Sequence, residues 1–401
     1  MQTLKFLLSS TFYPPYHLGG DAVHVKYLAE ELAKRGHEVH VIHSKDAYRL
    51  KRGTQKPLKQ DSACDCVHVT RIESPLKSLD SLMVYVSGKS FYFRKKFSKA
   101  IKEIRPDVVH HHNISLLGYD ILEKKDNYLS LYTAHDYWLI CPKSNLLINE
   151  EKTCFVKHCF SCGLKSKRPP QLWRSFQSFK RAIDSIDLII SPSDYVRSKI
   201  AQEVEVKSVT IPNFAQLPPA DISSPEYLNY FLFVGTLEKH KGILNLLELF
   251  RELRNTLDAK LIIVGAGSLR IHIQDYIKKN SLSDSISLLG FVNCKKLYSL
   301  YANTLALILP STWPENAPLV ALEALSVGSP VIASNNGGLP EIVKKVDEKL
   351  IFKNFGELKN LLLTFQKKDF PPSKIKKIYE THFSPQAFID KYIENINTIS
   401  R

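Results

Sequence analysis

Apolar residues in this chain fall into short, nearly unbroken runs that alternate with longer segments striped at helical spacing. Residues 4–9 read as a first strand. From 23 to 35, apolar side chains recur at 23, 25, 28, 29, 32 and 33, which is one face of a helix, and Gly36 stops it. Residues 38–42 form the next strand, so the chain opens with a βαβ unit. The loop between strand and helix carries Pro14, Pro15, Gly19 and Gly20. Further buried strands are expected at 107–110, 128–132 and 187–191, the last followed by a helix from about 193. Pro212, Pro218, Pro219 and Pro225 then mark a stiff linker. After it the pattern restarts, with strands at 231–235, 261–265, 286–290, 305–309 and 330–334 and a striped helix at 243–253. Consecutive apolar positions suit parallel strands covered on both faces. The pattern predicts two doubly wound α/β domains in tandem, over 1–212 and 213–384, and a terminal helix from about 385. Ligands of such sheets bind beyond the carboxyl ends of the strands, so a cleft between the two domains is the expected substrate site.

Composition narrows this picture. At 401 residues there is room for two or three cores, and 44% apolar content is ordinary for a globular protein. No apolar stretch approaches the roughly 18 residues of a membrane span, and no leader-like pattern opens the chain. Both point to a cytoplasmic protein. The net charge of +15 is uneven, with 33 Lys and Arg against 22 Asp and Glu in residues 1–215. A basic half suits a polyphosphate substrate or an anionic membrane. Nucleic acid is disfavoured, because the basic residues are dispersed and no recognition motif accompanies them. Residues 92–102 combine aromatic residues and lysines at helical spacing. That segment is either a helix lying on a membrane surface or a helix with a buried apolar face and a solvated basic one. The seven cysteines, an odd number, read as free thiols in a reducing compartment. Cys154, Cys159 and Cys162 cluster, with Cys141 upstream. Four thiolates suffice for a tetrahedral structural zinc, and ordinary loop thiols are the alternative.

The candidate chemistry centres on Glu315 and Glu323, in the run from Pro314 to Leu325. Asn316 is expected as a helix cap and Pro318 in the first turn. One carboxylate then precedes a helix N-terminus and the other lies on that helix. A helix N-terminus attracts phosphate, and carboxylates hold hydroxyls by charged hydrogen bonds. Together these suggest a sugar nucleotide. The ordinary reading of the spacing alone is a capping residue and a surface glutamate. Other loops that follow strands carry Gly19-Gly20, His135-Asp136, Lys239-His240-Lys241-Gly242, Gly265-Ala266-Gly267 and Gly337-Gly338.

With these motifs in this order, the chain closely resembles the retaining glycosyltransferases of the GT-B fold, family 4. The carriers are Pro14-Pro15 through Gly19-Gly20, Thr133 to Trp138, Ile211-Pro212-Asn213, Gly235 to Gly242, Glu315 to Glu323, and 328–341. The resemblance implies two Rossmann-like domains facing across a cleft, the first for the acceptor and the second for the nucleotide sugar. The helix at about 385–401 would pack back on the first. Glu323 would bind the donor ribose. Glu315 would hold the transferred sugar, with backbone amides of Asn316, Ala317, Pro318 and Leu319 close by. Lys241 would neutralise the diphosphate, Gly20 would let the backbone approach it, and His135 would contact the sugar. Gly19, Gly235, Thr236 and Gly265 join the donor-binding set. The implied enzyme is a hexosyltransferase that retains configuration and needs no metal or other cofactor for catalysis. It would use a UDP- or GDP-sugar, and the basic first half with the segment 92–102 points to a glycan or lipid-linked acceptor at the inner face of a membrane, for a surface polysaccharide such as lipopolysaccharide. One position departs from the pattern: Thr236 stands where the family has an arginine for the diphosphate, and it cannot supply that charge. A GT-B epimerase or phosphorylase, or a non-catalytic sugar-nucleotide or membrane-binding protein, are the alternatives.

Overall fold

The computed structural model describes residues 3–53, 66–124, 126–148, 152–154, 158–222 and 226–399. Contacts divide the chain into two units. The first holds 1–149, 155–211 and 389–401, and the second 150–154 and 212–388.

In the first unit the main elements run β1 (Lys5–Ser10), α1 (Gly20–Lys34), β2 (Glu38–Ser44), β3 (His68–Ile72), α2 (Ser78–Ser87) and α3 (Phe91–Ile104). β4 (Val108–His111), β5 (Leu129–Thr133), β6 (Leu188–Ser191) and β7 (Ser208–Thr210) follow. All pairings are parallel and the sheet order is β3-β2-β1-β4-β5-β6-β7. The central strands are buried along almost their whole length, as apolar runs under helices on both faces require.

The second unit repeats the plan with β8 (Tyr230–Val234), α4 (Ile243–Leu253), β9 (Lys260–Val264), β10 (Ile286–Gly290), β11 (Leu307–Leu309), α5 (Leu319–Ser326), β12 (Val331–Ser334) and β13 (Ile351–Phe352). Its order is β10-β9-β8-β11-β12-β13, again all parallel. Strand order reverses between β8 and β11, so the loops after these two strands flank the crevice where such sheets take ligands.

The terminal helix α6 spans Pro385–Ile399, and its residues from 389 onward belong to the first unit. There the Tyr392 hydroxyl meets His110 Nδ1 at 2.9 Å, with the two rings stacked 5.4 Å apart.

Two sequence expectations need correction. In α3, Phe93, Phe97 and Ile101 are buried while Lys95, Lys96, Lys99 and Lys102 are exposed. Its apolar face is core, so this helix does not offer that face to a membrane. Cys66 is disulfide-bonded, so the thiols are not all free; Cys64 lies outside the described residues.

Candidate functional site

Three loops at the carboxyl edge of the second sheet build one polar cluster. After β8, Lys241 closes a short turn and Gly242 follows at φ +71°. A Cβ on Gly242 would sit 1.9 Å from the Pro310 carbonyl oxygen, so this loop touches the one after β11 at a point only glycine allows. The Thr312 N–H donates to the His240 carbonyl at 2.9 Å, which ties the two loops together. The loop after β12 joins from the other side. Gly337, at φ +65°, lies against the Glu315 backbone, where a Cβ would come within 2.2 Å of the Glu315 carbonyl oxygen. Ser334 and Asn336 both donate to the Ser311 carbonyl, at 2.7 and 2.8 Å.

Glu315 is held inside this frame with 6% exposure. Its Oε1 accepts from Lys241 Nζ and from Ser311 Oγ, both at 2.6 Å. Burial alone would raise the Glu315 carboxyl. The Lys241 ammonium, then the Ser311 and Trp313 side chains, outweigh it and hold the group below the usual carboxylate range. Lys241 Nζ also lies 5.2 Å from the centre of the Trp313 ring, against which His240 packs edge-on at 5.3 Å. An ionised carboxylate and an ammonium, both on loops at the strand ends, form a polar pair suited to hydroxyls and phosphate.

Helix α5 starts at Leu319, and Pro318 is its N-cap in extended conformation with no side-chain cap. The expected cap, Asn316, therefore lies two positions too early. Proline disfavours helical backbone at the residue before it, so Ala317 stays outside the helix and the first turn begins after Pro318. Asn316 and Ala317 are buried, and the Ala317 carbonyl accepts from Asn213 Nδ2 at 2.9 Å. With no side chain capping them, the first-turn amides of α5 suit an anion. Glu323, one turn further, accepts from the Tyr301 hydroxyl at 2.9 Å. Burial raises its carboxyl, and the bond from Tyr301 offsets part of that.

The glycine loops beside this cluster interlock. Gly265, at φ +140°, would place a Cβ 1.9 Å from the Gly235 carbonyl oxygen, and the Leu237 N–H donates to the Ala266 carbonyl at 3.0 Å. Thr236 and Lys239 are exposed on the same loop. The Arg270 guanidinium lies against Gly290, at the end of β10.

In the first unit, Gly19 precedes α1 in extended backbone and Gly20 is its first residue. His135 follows β5, and its Nε2 meets His112 Nδ1 at 2.9 Å. The His24 ring packs edge-on to His135 at 5.1 Å. Burial depresses all three imidazoles, His135 to about 3, so they are neutral at ordinary pH. The neighbouring Asp136 accepts from the Trp138 N–H at 2.8 Å. Burial, outweighing that bond, pushes its carboxyl up to about 7.

Glu315, Lys241, Asn316, Ala317, Pro318 and Leu319 are therefore gathered within the second unit, with Glu323 on the helix that follows. His135, Gly19 and Gly20 lie in the first. The four cysteines are not gathered: among the described residues no group of three or more His, Cys, Asp or Glu side chains could hold a metal ion. Sequence reasoning missed Ser311, Trp313 and Tyr301, and it quoted Asn213 without a role. Ser311 and Trp313 sit four and two residues before Glu315, a local signal that was readable. Tyr301 lies 22 residues from Glu323, and only the fold brings it there.

Comparisons with known proteins agree with this architecture. Residues 18–217 match the Glycosyltransferase Family 4 model and residues 219–372 match Glycosyl transferases group 1. An uncharacterised glycosyltransferase of Methanocaldococcus jannaschii is 25% identical over 348 residues, covering 85% of this chain and 83% of that one. Among solved structures, sucrose-phosphate synthase from Thermosynechococcus elongatus superposes with a TM-score of 0.71 at 18% identity, covering 99% of both chains. The Anabaena protein HepE in complex with UDP-glucose gives a TM-score of 0.62 at 16% identity, covering 98% of this chain and 100% of that one.

Proposed function

We propose, from the premise that this chain belongs to the group 1, family 4 glycosyltransferases of GT-B fold, that it moves a hexose from a nucleoside diphosphate to a glycan or lipid-linked glycan with retention of configuration. The observation that carries this reading is the largely buried Lys241–Glu315–Ser311 cluster, with Glu315 four residues before the uncapped start of α5. The leaving group of such a transfer is a diphosphate whose negative charge grows as the glycosidic bond breaks. A fixed ammonium and oriented backbone amides stabilise that charge without reorganisation. Lys241 and the first turn of α5 supply both, so no metal is required in this scheme. When the diphosphate takes up the ammonium, the Glu315 carboxylate is left to hold sugar hydroxyls, and Glu323 takes the ribose. In this scheme Glu315 is the one carboxylate at the sugar. Attack by the acceptor on the face the leaving group departs from therefore fits better than the two-carboxylate scheme of glycosidases. The likeness to a protein solved with UDP-glucose supports a nucleotide-sugar donor.

The test is release of nucleoside diphosphate from a nucleotide sugar, with and without acceptor. Glu315→Gln and Lys241→Ala are each expected to lower turnover by about tenfold or more. Unchanged turnover in both would exclude the assignment. Turnover that depends on inorganic phosphate, or donor isomerisation without diphosphate release, would replace transfer with phosphorylase or epimerase chemistry.

A further inference from the structure

A groove of about 570 Å³ lies wholly within the first unit and shares no residue with the Lys241–Glu315 cluster. That volume is in the range of small-molecule sites. Its walls include Leu139, Ile140, Leu172, Phe179, Ile183 and Val204. Leu139 and Ile140 belong to the loop after β5. Ile183 is on the helix Gln177–Asp184, which leads into β6, and Val204 follows the helix Asp194–Ala201, which leads into β7. The three strands are parallel, so the groove runs from the carboxyl end of β5 toward the amino ends of β6 and β7. It leaves the carboxyl edge, where ligands of such sheets collect.

One cation is built into this groove. The Arg174 guanidinium lies 4.7, 5.1 and 5.4 Å from the ring centres of Trp173, Trp138 and Phe179. Its Nε donates to Gln171 Oε1 at 2.6 Å, and its Nη1 donates to the Trp138 carbonyl at 2.7 Å. Both acceptors are neutral. Nη2 is buried and has no hydrogen-bond partner among the described residues. Asp136 is close enough to influence Arg174, but burial pushes its own carboxyl up to about 7, so it is only partly ionised at neutral pH. A cation largely out of water without an anionic partner is costly, and a ligand that brings the missing charge removes that cost.

The rest of the ligand follows from the walls. Apolar side chains take an alkyl or aryl body, and one open N–H takes one carboxylate oxygen. Asp184, Glu203 and Glu205 are exposed at the amino end of the groove and repel a second anionic group. Lys180, also exposed there, offsets one of the three. We infer that this groove binds an amphiphilic monocarboxylate, with its carboxylate at Arg174 and its apolar body along Leu139, Leu172, Ile183 and Val204.

The full chain is titrated by calorimetry with octanoate, with octan-1-ol as an uncharged probe of equal length, and with octyl phosphate. No nucleotide sugar is present, so the outcome is independent of the transferase reading. Octanoate should bind saturably and at least about tenfold more tightly than octan-1-ol, the scale of one hydrogen bond to a charged group. Bound octanoate should slow iodoacetamide alkylation of Cys159, which lines the groove, and leave that of the exposed Cys294 in the second unit unchanged. Leu172→Glu sets an acid at a wall position that is 60% exposed. It should melt like the parent and bind octanoate at least about tenfold more weakly. Arg174→Gln should bind octanoate and octan-1-ol alike, a ratio that a general loss of stability does not produce. The inference is overturned by a parent that binds no octanoate, prefers octan-1-ol or octyl phosphate, or binds octanoate without protecting Cys159. Full octanoate affinity in Leu172→Glu, or a preference for octanoate kept in Arg174→Gln, overturns it as well.

Discussion

Lys241 and Glu315 are the pair on which the site turns, and each constrains the other. The Glu315 carboxyl is depressed in the folded chain chiefly because the Lys241 ammonium overcomes the cost of burial. A depressed carboxyl contributes stability above its unfolded pKa and loses it as pH falls through the folded value. Lys241→Ala removes the counter-charge, so the Glu315 value rises and acid unfolding should begin at higher pH. At neutral pH the variant should also lose about 3 kcal/mol, the lower end of the scale for breaking a buried pair, since Lys241 is partly exposed, which urea unfolding at two pH values would show. Thr236 is the other telling residue. It is exposed on the loop after β8, where the family resemblance calls for a cation. Thr236→Arg should tighten nucleotide-sugar binding by about tenfold, the scale of one charge-assisted hydrogen bond, as titration calorimetry would record. The positions of Lys241, Glu315 and Thr236 were legible in the sequence, since they sit on motifs. The role of Tyr301 was not, because nothing in a lone Tyr 22 residues away announces a carboxylate partner before the fold supplies one.

At the scale of elements, the apolar runs located the central strands to within two residues or so. β1, β2, β4, β5 and β6 in the first unit and β8, β9, β11 and β12 in the second were all readable, because burial on both faces leaves few polar positions, and the apolar run of the half-buried edge strand β10 was readable too. The edge strands β3, β7 and β13 escaped. β3 carries His68, Thr70 and Arg71 and is largely exposed, and β13 is two residues long. The start of α5 was set too early because a proline that ends up as N-cap looks the same in sequence as one inside the first turn. The loops around the site depend on their glycines. In Gly337→Ala, a Cβ at φ +65° would drive into the Glu315 backbone. The variant should lower both the melting temperature and transferase turnover. Lys345→Ala, at an exposed position, should leave the melting temperature unchanged and serves as the comparison in the same assay.

Across the whole molecule, charge is distributed so that the two units respond differently to acid. His24, His43, His110, His111, His112 and His135 all lie in the first unit, and burial depresses every one, several to about 3 from an ordinary 6.5. Below pH 6.5 the unfolded chain binds protons that the folded unit refuses. Stability is therefore lost as pH falls from there toward 3. The first unit, followed by Trp138 and Trp173 fluorescence in a Trp313→Phe variant, should unfold at higher pH than the second, followed by Trp313 in a Trp138→Phe/Trp173→Phe variant. The central claim is that the second unit binds a nucleotide sugar through Lys241, Glu315 and Glu323. It is tested most directly by thermal shift against a panel of UDP-, GDP- and ADP-sugars, because a ligand that binds only the native state raises its melting temperature. The account predicts that at least one nucleotide sugar raises the melting temperature of the parent, and that Lys241→Ala and Glu323→Gln lose that rise relative to their own unliganded values. A parent that no nucleotide sugar stabilises, or variants that keep the full rise, would contradict it.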